Sequence, residues 1–257
     1  MTERPGGSPP DPAPPAQFPG ATRVTVLEVY DWPTPDGLKG GSAHMHLASA
    51  EGYYVLSGSG ALQTLGGGGY REAPLRPGDC LWFTPGVIHR LVNSGDLRIL
   101  VVMQNAGLPE HGDAVLTFPP AVLADPAAYA AAAALPADPS LAGAAARRRR
   151  DLAIEGYLEL RDRVSADGPS ALEDFYREAV ALTGGRVPDW RGRWQAGAQA
   201  AAQRTGRELD ALAAGVAGHL GEGGLWRIAR PEGRPAFGMC GRLTGYDPAA
   251  AGDPPRR

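Results

Sequence analysis

The stretch His44-Met-His46-Leu-Ala-Ser-Ala-Glu51 decides the reading of this chain. His44 and His46 stand two apart, so on a strand both imidazoles leave the same face. Glu51 follows a short turn and opens the next antiparallel strand, within reach of the same point. A third histidine, His89, ends the segment Pro85-Gly-Val-Ile-His89, after a Gly-Asp turn and a further strand. Neutral imidazoles and carboxylates are the groups that hold divalent transition metals. Three imidazoles and one carboxylate leave a net positive charge on such an ion. They also leave coordination positions free, which is the pattern of catalytic rather than closed structural sites. His44, His46, Glu51 and His89 are therefore the expected metal ligands, and Glu51 is also the candidate catalytic group.

The residues around the quartet have the grammar of short strands and turns. Thr22 to Tyr30 is rich in β-branched and aliphatic side chains and stops at Asp31-Trp-Pro33. Strand-like runs follow at 44–47, 52–56, 61–65, 80–84 and 97–103. Turn signals separate them at Ser57-Gly-Ser-Gly60, Gly66–Gly69, Arg76-Pro-Gly-Asp79 and Asn93-Ser-Gly-Asp96. This spacing is that of an all-β sandwich or barrel. By alternation from Glu51 and His89, Tyr53, Val55 and Leu91 face inward. The strand before His89 offers two registers, with either Cys80, Trp82 and Thr84 or Leu81 and Phe83 lining the lumen. Tyr53, Trp82 and Leu91 are the candidate substrate contacts. Gln104 and Asn105 close the last strand near the site. With no evident arginine pair projecting inward, the lumen reads as apolar and aromatic, which disfavours a phosphorylated substrate.

The pattern changes after Pro119. Asp125-Pro126 reads as a helix N-cap with proline at the first helical position. Residues 136–146 read as an Ala/Pro/Gly linker. From Arg147, a solvated helix start, apolar residues recur at helical spacing: Leu152, Tyr157, Leu160 and Val164; Phe175, Val180 and Leu182 behind a Ser170–Glu173 capping box; Trp190 and Trp194; Leu209, Leu212, Val216 and Leu220. Four helices here predict a small bundle. The resulting division is a disordered Pro/Gly-rich arm (1–20), a barrel (21–118), an Ala/Pro-rich helix and linker (119–146), a helical domain (147–222) and a tail with a short hairpin (223–257).

Two motifs carry a family resemblance. His44-x-His46-x4-Glu51-x6-Gly58 and Gly78-x7-Gly86-x2-His89-x3-Asn93 resemble the paired signatures of the cupin superfamily. The family's first glycine would fall on Leu38, and its proline on Thr84, with Pro85 one place late; neither position is a ligand. The resemblance implies a cupin-like antiparallel jelly roll, a double-stranded β-helix, with one Fe, Mn, Ni or Zn ion bound inside by His44, His46, Glu51 and His89. The superfamily hosts dioxygenases, decarboxylases, isomerases and non-catalytic sensors. A dioxygenase-type reaction on a small organic molecule is the leading expectation, with a metal-dependent sensor as the alternative.

Composition narrows the partners. The 25 basic and 28 acidic residues give a net charge of −3, and Lys39 is the sole lysine. Residues 147–222 hold 12 arginines and 12 acidic residues, so no basic face for nucleic acid is expected. The amphipathic helices suit a homodimer or a cover for the barrel mouth. No apolar run has the length of a membrane span and the N-terminus lacks a signal-peptide core. With two distant cysteines, a reduced cytoplasmic setting is expected.

Overall fold

In a computed structural model, which describes residues 17–252, the chain forms one antiparallel sheet curled into a barrel, with helices against one side. The strands of the barrel are β1 (Arg23–Val29), β2 (His44–His46), β3 (Glu51–Gly66), β4 (Gly69–Leu75), β5 (Cys80–Phe83), β6 (Ile88–Met103) and β7 (Ala114–Leu116). Helices α1 (Pro120–Leu123), α2 (Pro126–Ala133), α3 (Pro139–Asp167), α4 (Glu173–Ala181), α5 (Val187–Trp194) and α6 (Ala200–Ala213) follow. The chain then returns as β8 (Ala236–Phe237) and β9 (Gly241–Tyr246).

The long strands β3 and β6 form the spine, pairing from Glu51↔Met103 through Leu65↔Ile88. Two of the expected turns are absent as turns. Ser57–Gly60 and Asn93–Asp96 lie inside β3 and β6, where the register shifts between Val55 and Gly60. Gly58 and Asp96 take positive φ there, and a Cβ on Gly58 would meet the Asp96 carbonyl at 2.3 Å. The glycines therefore serve opposed bulges that bend a continuous ladder. The Asn93 side chain accepts from Gly95 and Leu97 N–H groups and holds the bend.

β2 is buried on both faces. His44 and His46 point into the barrel, while Ala43 and Met45 join a core with Ile154, Tyr157 and Leu160 of α3 and Phe175 of α4. A second core of Leu27, Val55, Leu62, Leu91, Ile99 and their neighbours fills the barrel below the quartet. Gly156 lets α3 lie directly on the barrel, since a Cβ there would stand 2.2 Å from the Thr117 carbonyl.

Helix α2 begins as its sequence predicts, with the Asp125 carboxylate accepting from the Ala127 and Ala128 N–H groups. The stretch read as a linker before Arg147 holds the opening turns of α3, because Asp138 caps it and Pro139 takes the first position. Ser170 caps nothing: it lies in a 3-10 turn (Pro169–Leu172), and α4 starts at Glu173 without a side-chain cap. The arginine run is not a solvated helix start throughout. Arg150 shares a helical face with Ala146, Ala153 and Tyr157 and is fully buried, donating to the carbonyls of Trp32, Pro33 and Gly40. Leu209, Leu212, Val216 and Leu220 are exposed, and α6 buries no side chain. The tail hairpin continues the barrel sheet, with β9 antiparallel to β1. The Pro/Gly-rich arm falls outside the described residues through residue 16. Residues 17–20 are described: Gln17 donates to the Ala196 carbonyl, and Pro19–Ala21 form a 3-10 turn. Among the described residues, no helix is long and apolar enough to cross a membrane.

Candidate metal centre

The register places the quartet. His44 of β2 pairs with His89 of β6, and Glu51 at the head of β3 pairs with Phe83 and Met103. All four side chains are buried, and one ligand atom from each lies within 4.8 Å of the others. Nε2 of His44 and His89 are 3.1 Å apart, and Oε2 of Glu51 is 3.2 Å from Nε2 of both His46 and His89. Metal–ligand bonds of about 2.1 Å set at right angles separate neighbouring ligand atoms by about 3.0 Å, so these distances suit one shared ion.

The far side of each imidazole confirms which nitrogen is free. Nδ1 lies 3.3 Å from the Ser42 carbonyl in His44, 3.1 Å from the Val87 carbonyl in His89 and 3.3 Å from Oδ2 of Asp113 in His46. Each of these partners accepts, so each Nδ1 donates outward and each Nε2 is the nitrogen turned towards the quartet. His46 Nε2 and Glu51 Oε2 are buried without a hydrogen-bond partner. Lone pairs aimed at one another repel unless a proton or a cation stands between them, and the donor set fits a divalent transition metal.

The electrostatics show how the chain copes when only protons are present. Burial, then the neighbouring His89 and His46, push the His44 pKa well down. Burial also opposes the His46 cation, but its contacts with the Asp113 and Glu51 carboxylates outweigh it and raise its pKa to about 9. Glu51 is held far below the usual carboxylate range: burial acts against it, and the contacts from His46 and His89 prevail. The site is built for a cation near His46 and Glu51.

Asp113 is the residue that sequence reasoning missed. It is fully buried, and its Oδ1 accepts from the Leu47 and Ala48 N–H groups while Oδ2 faces His46. Its signal was weak: an acid in a loop, just before a three-residue strand. His111 is exposed, and its Nδ1 bonds the Gly107 carbonyl, outside the site.

A cavity of about 300 Å³ opens over His44, His46 and Glu51. Tyr53 lines it. Leu91 faces inward but is sealed in the lower core, away from the cavity. Trp82 is corrected outright. It is 75% exposed and borders a separate groove near Gly66–Gly69, because Glu51 pairs with Phe83 and Gly52 with Trp82. Alternation thus turns Leu81 and Phe83 inward, and the Phe83 ring lies 4.1 Å from that of His89. Gln104 and Asn105 instead tie the backbone at Ala50 and Ala48. Much of the remaining wall comes from the tail, as Phe237, Met239, Cys240 and Leu243. Two arginines, Arg23 and Arg149, also line the cavity, where the sequence showed no evident arginine pair. Arg23 pairs with Glu110 at 2.9 Å.

Residues 34–103, which hold the quartet and both motifs, match the family model described as a cupin domain. This segment is a cupin domain. Solved structures similar to the cupin part include a predicted oxalate decarboxylase from Thermotoga maritima, at 24% identity over 32% of this chain and 64% of that one, with a TM-score of 0.25. A cupin protein from Bacteroides fragilis matches at 21% identity, over 34% and 65% of the two chains, with a TM-score of 0.25. Pac13, a Streptomyces nucleoside dehydratase, matches at 17% identity, over 34% and 62%, with a TM-score of 0.27. The matched region spans just under two thirds of each of these solved chains. No curated protein matches the chain. The cupin match stops at Met103, so Asp113, Arg149 and the tail wall lie outside it.

Proposed function

We propose that this cupin is a metal-dependent enzyme acting on a small, largely apolar organic molecule, with dioxygenase-type oxidation ahead of decarboxylation or isomerisation. The observation that carries the reading is the convergence of three imidazole Nε2 atoms and Glu51 Oε2 at a cavity of about 300 Å³. His44, His46, Glu51 and His89 would hold the ion. When bound, a divalent Fe, Mn, Ni or Zn ion supplies a Lewis acid, and iron adds a redox centre.

The other residues bind and exclude water. Phe237, Met103, Leu243 and Tyr53 present apolar surface to a substrate above the quartet. The Tyr53 hydroxyl is buried without a hydrogen-bond partner, and burial, then the Glu51 carboxylate, keep it protonated by raising its pKa. It is a hydrogen-bond donor, not a base. Among the described cavity-lining residues, the carboxylates are Glu51, engaged in the quartet, and Glu110, paired with Arg23. A reaction needing a free carboxylate base would require Glu51 to leave its partners, which favours chemistry centred on the metal over simple proton shuttling.

The experiment is metal analysis of the purified protein followed by oxygen uptake with a panel of small organic substrates. Iron at one per chain with substrate-dependent uptake supports the proposal. Zinc alone, with ligand binding and no turnover, would instead make the protein a non-catalytic binder or sensor.

A further inference from the structure

Arg149 has no place in the metal quartet, yet it stands in the same cavity. It lies on α3, outside the cupin match, and reaches the cavity wall from the helical side. Nη2 donates to the Gly238 carbonyl at 2.7 Å and Nη1 to the Ala133 carbonyl at 3.2 Å. Gly238 begins the turn between β8 and β9, and Cys240 in that turn has its Sγ 3.8 Å from His44 Nδ1. One short turn therefore links the guanidinium to a metal ligand.

Its Nε is buried without a hydrogen-bond partner, as are those of Arg90 and Arg150. One observation sets this arginine apart from a structural tie. Among the described residues it makes no ion pair, whereas Arg23 has Glu110, Arg90 has Asp36 and Arg150 has Asp151. Carbonyl groups orient a guanidinium but do not cancel its charge, and a partly buried, uncompensated charge is costly. Burial accordingly acts against its protonated form. A cavity holding such a cation, next to a quartet whose metal complex would carry net positive charge, is short of one anion.

We propose that Arg149 binds the carboxylate of the substrate, so that the cavity selects small organic acids with an apolar body. The inference rests on the proposed metal-dependent role of the site and names its substrate class. A carboxylate suits one guanidinium with a donor to spare. The apolar wall built by Phe237, Met239 and Leu243 suits the remainder of the molecule.

Calorimetric binding of benzoate and its neutral counterpart benzamide to the full chain, zinc-loaded and zinc-free, tests this. Zinc content is measured on every sample. The wild-type chain is expected to bind benzoate at least tenfold tighter than benzamide. Arg149→Gln removes that preference, and Arg149→Lys, which keeps the charge without the fork, retains part of it. Zinc stoichiometry is unchanged in both variants. Benzoate bound no tighter than benzamide by the wild-type chain overturns the proposal without reference to any variant's folding. An undiminished preference in a folded Arg149→Gln chain overturns it equally. A wild-type chain that takes up no zinc defeats the metal reading instead, and the benzoate preference of the zinc-free chain still decides the role of Arg149.

Discussion

Asp113 and His46 show how much of the site depends on a residue behind the ligands. The Asp113 carboxylate fixes the His46 tautomer and makes Nε2 more basic towards a proton and a metal alike. Both effects can be separated by pH. With its pKa raised to about 9, His46 is protonated at pH 7 when no metal is bound, so metal entry must expel that proton. Apparent metal affinity is expected to rise about tenfold per pH unit from pH 7 and to level off near pH 9, with about one proton released per ion at pH 7. Calorimetry in buffers of different ionisation enthalpy reads that proton directly, and a pH-independent affinity would refute the assignment. Asp113→Asn should weaken metal binding about ten- to hundredfold at pH 9. The loss should shrink at pH 7, because the variant also relieves proton competition. Chelator competition at the two pH values measures both.

At the scale of elements, the sequence was most readable where one physical rule acted alone. Period-two alternation put His44 and His46 on one face, and the Asp125-Pro126 cap started α2 where it should. It was least readable where one residue type serves two geometries. Gly58 and Asp96 signal positive φ, which a turn and a bulge both use, so continuous strands read as broken ones. The phase of α3 was hidden in a run of four arginines, of which Arg150 faces the core. Glycines in the helices carry the same ambiguity and offer a paired test. Gly206→Ala in α6 meets nothing within 4 Å and should gain up to about 1 kcal/mol of stability from helix propensity. Gly156→Ala in α3 would press on the Thr117 carbonyl, so packing strain of about 1–3 kcal/mol should outweigh the same gain. Denaturant unfolding of the two variants should therefore shift in opposite directions. A stabilised Gly156→Ala chain would mean that α3 does not sit directly on the barrel.

In the molecule as a whole, the cavity of the cupin domain is completed from elsewhere. The ligands come from β2, β3 and β6 inside residues 34–103, and their spacing was visible because it is local and periodic. Asp113, Arg149 and the Phe237–Leu243 wall come from a loop, a helix and a hairpin, the last some two hundred residues from the first ligand. No short-range pattern announces such meetings; only the closed sheet, with β9 against β1, brings them together. On the proposed reading the barrel holds the ion, and the parts that surround it set selectivity. The central claim is that four side chains share one ion, and metal stoichiometry tests it most directly. After equilibration with one divalent metal and removal of excess, the wild-type chain should hold one ion and the His44→Ala/His89→Ala variant, still folded by circular dichroism, should hold none. A double variant that retains a full equivalent, or a wild-type chain that holds none, would contradict the account.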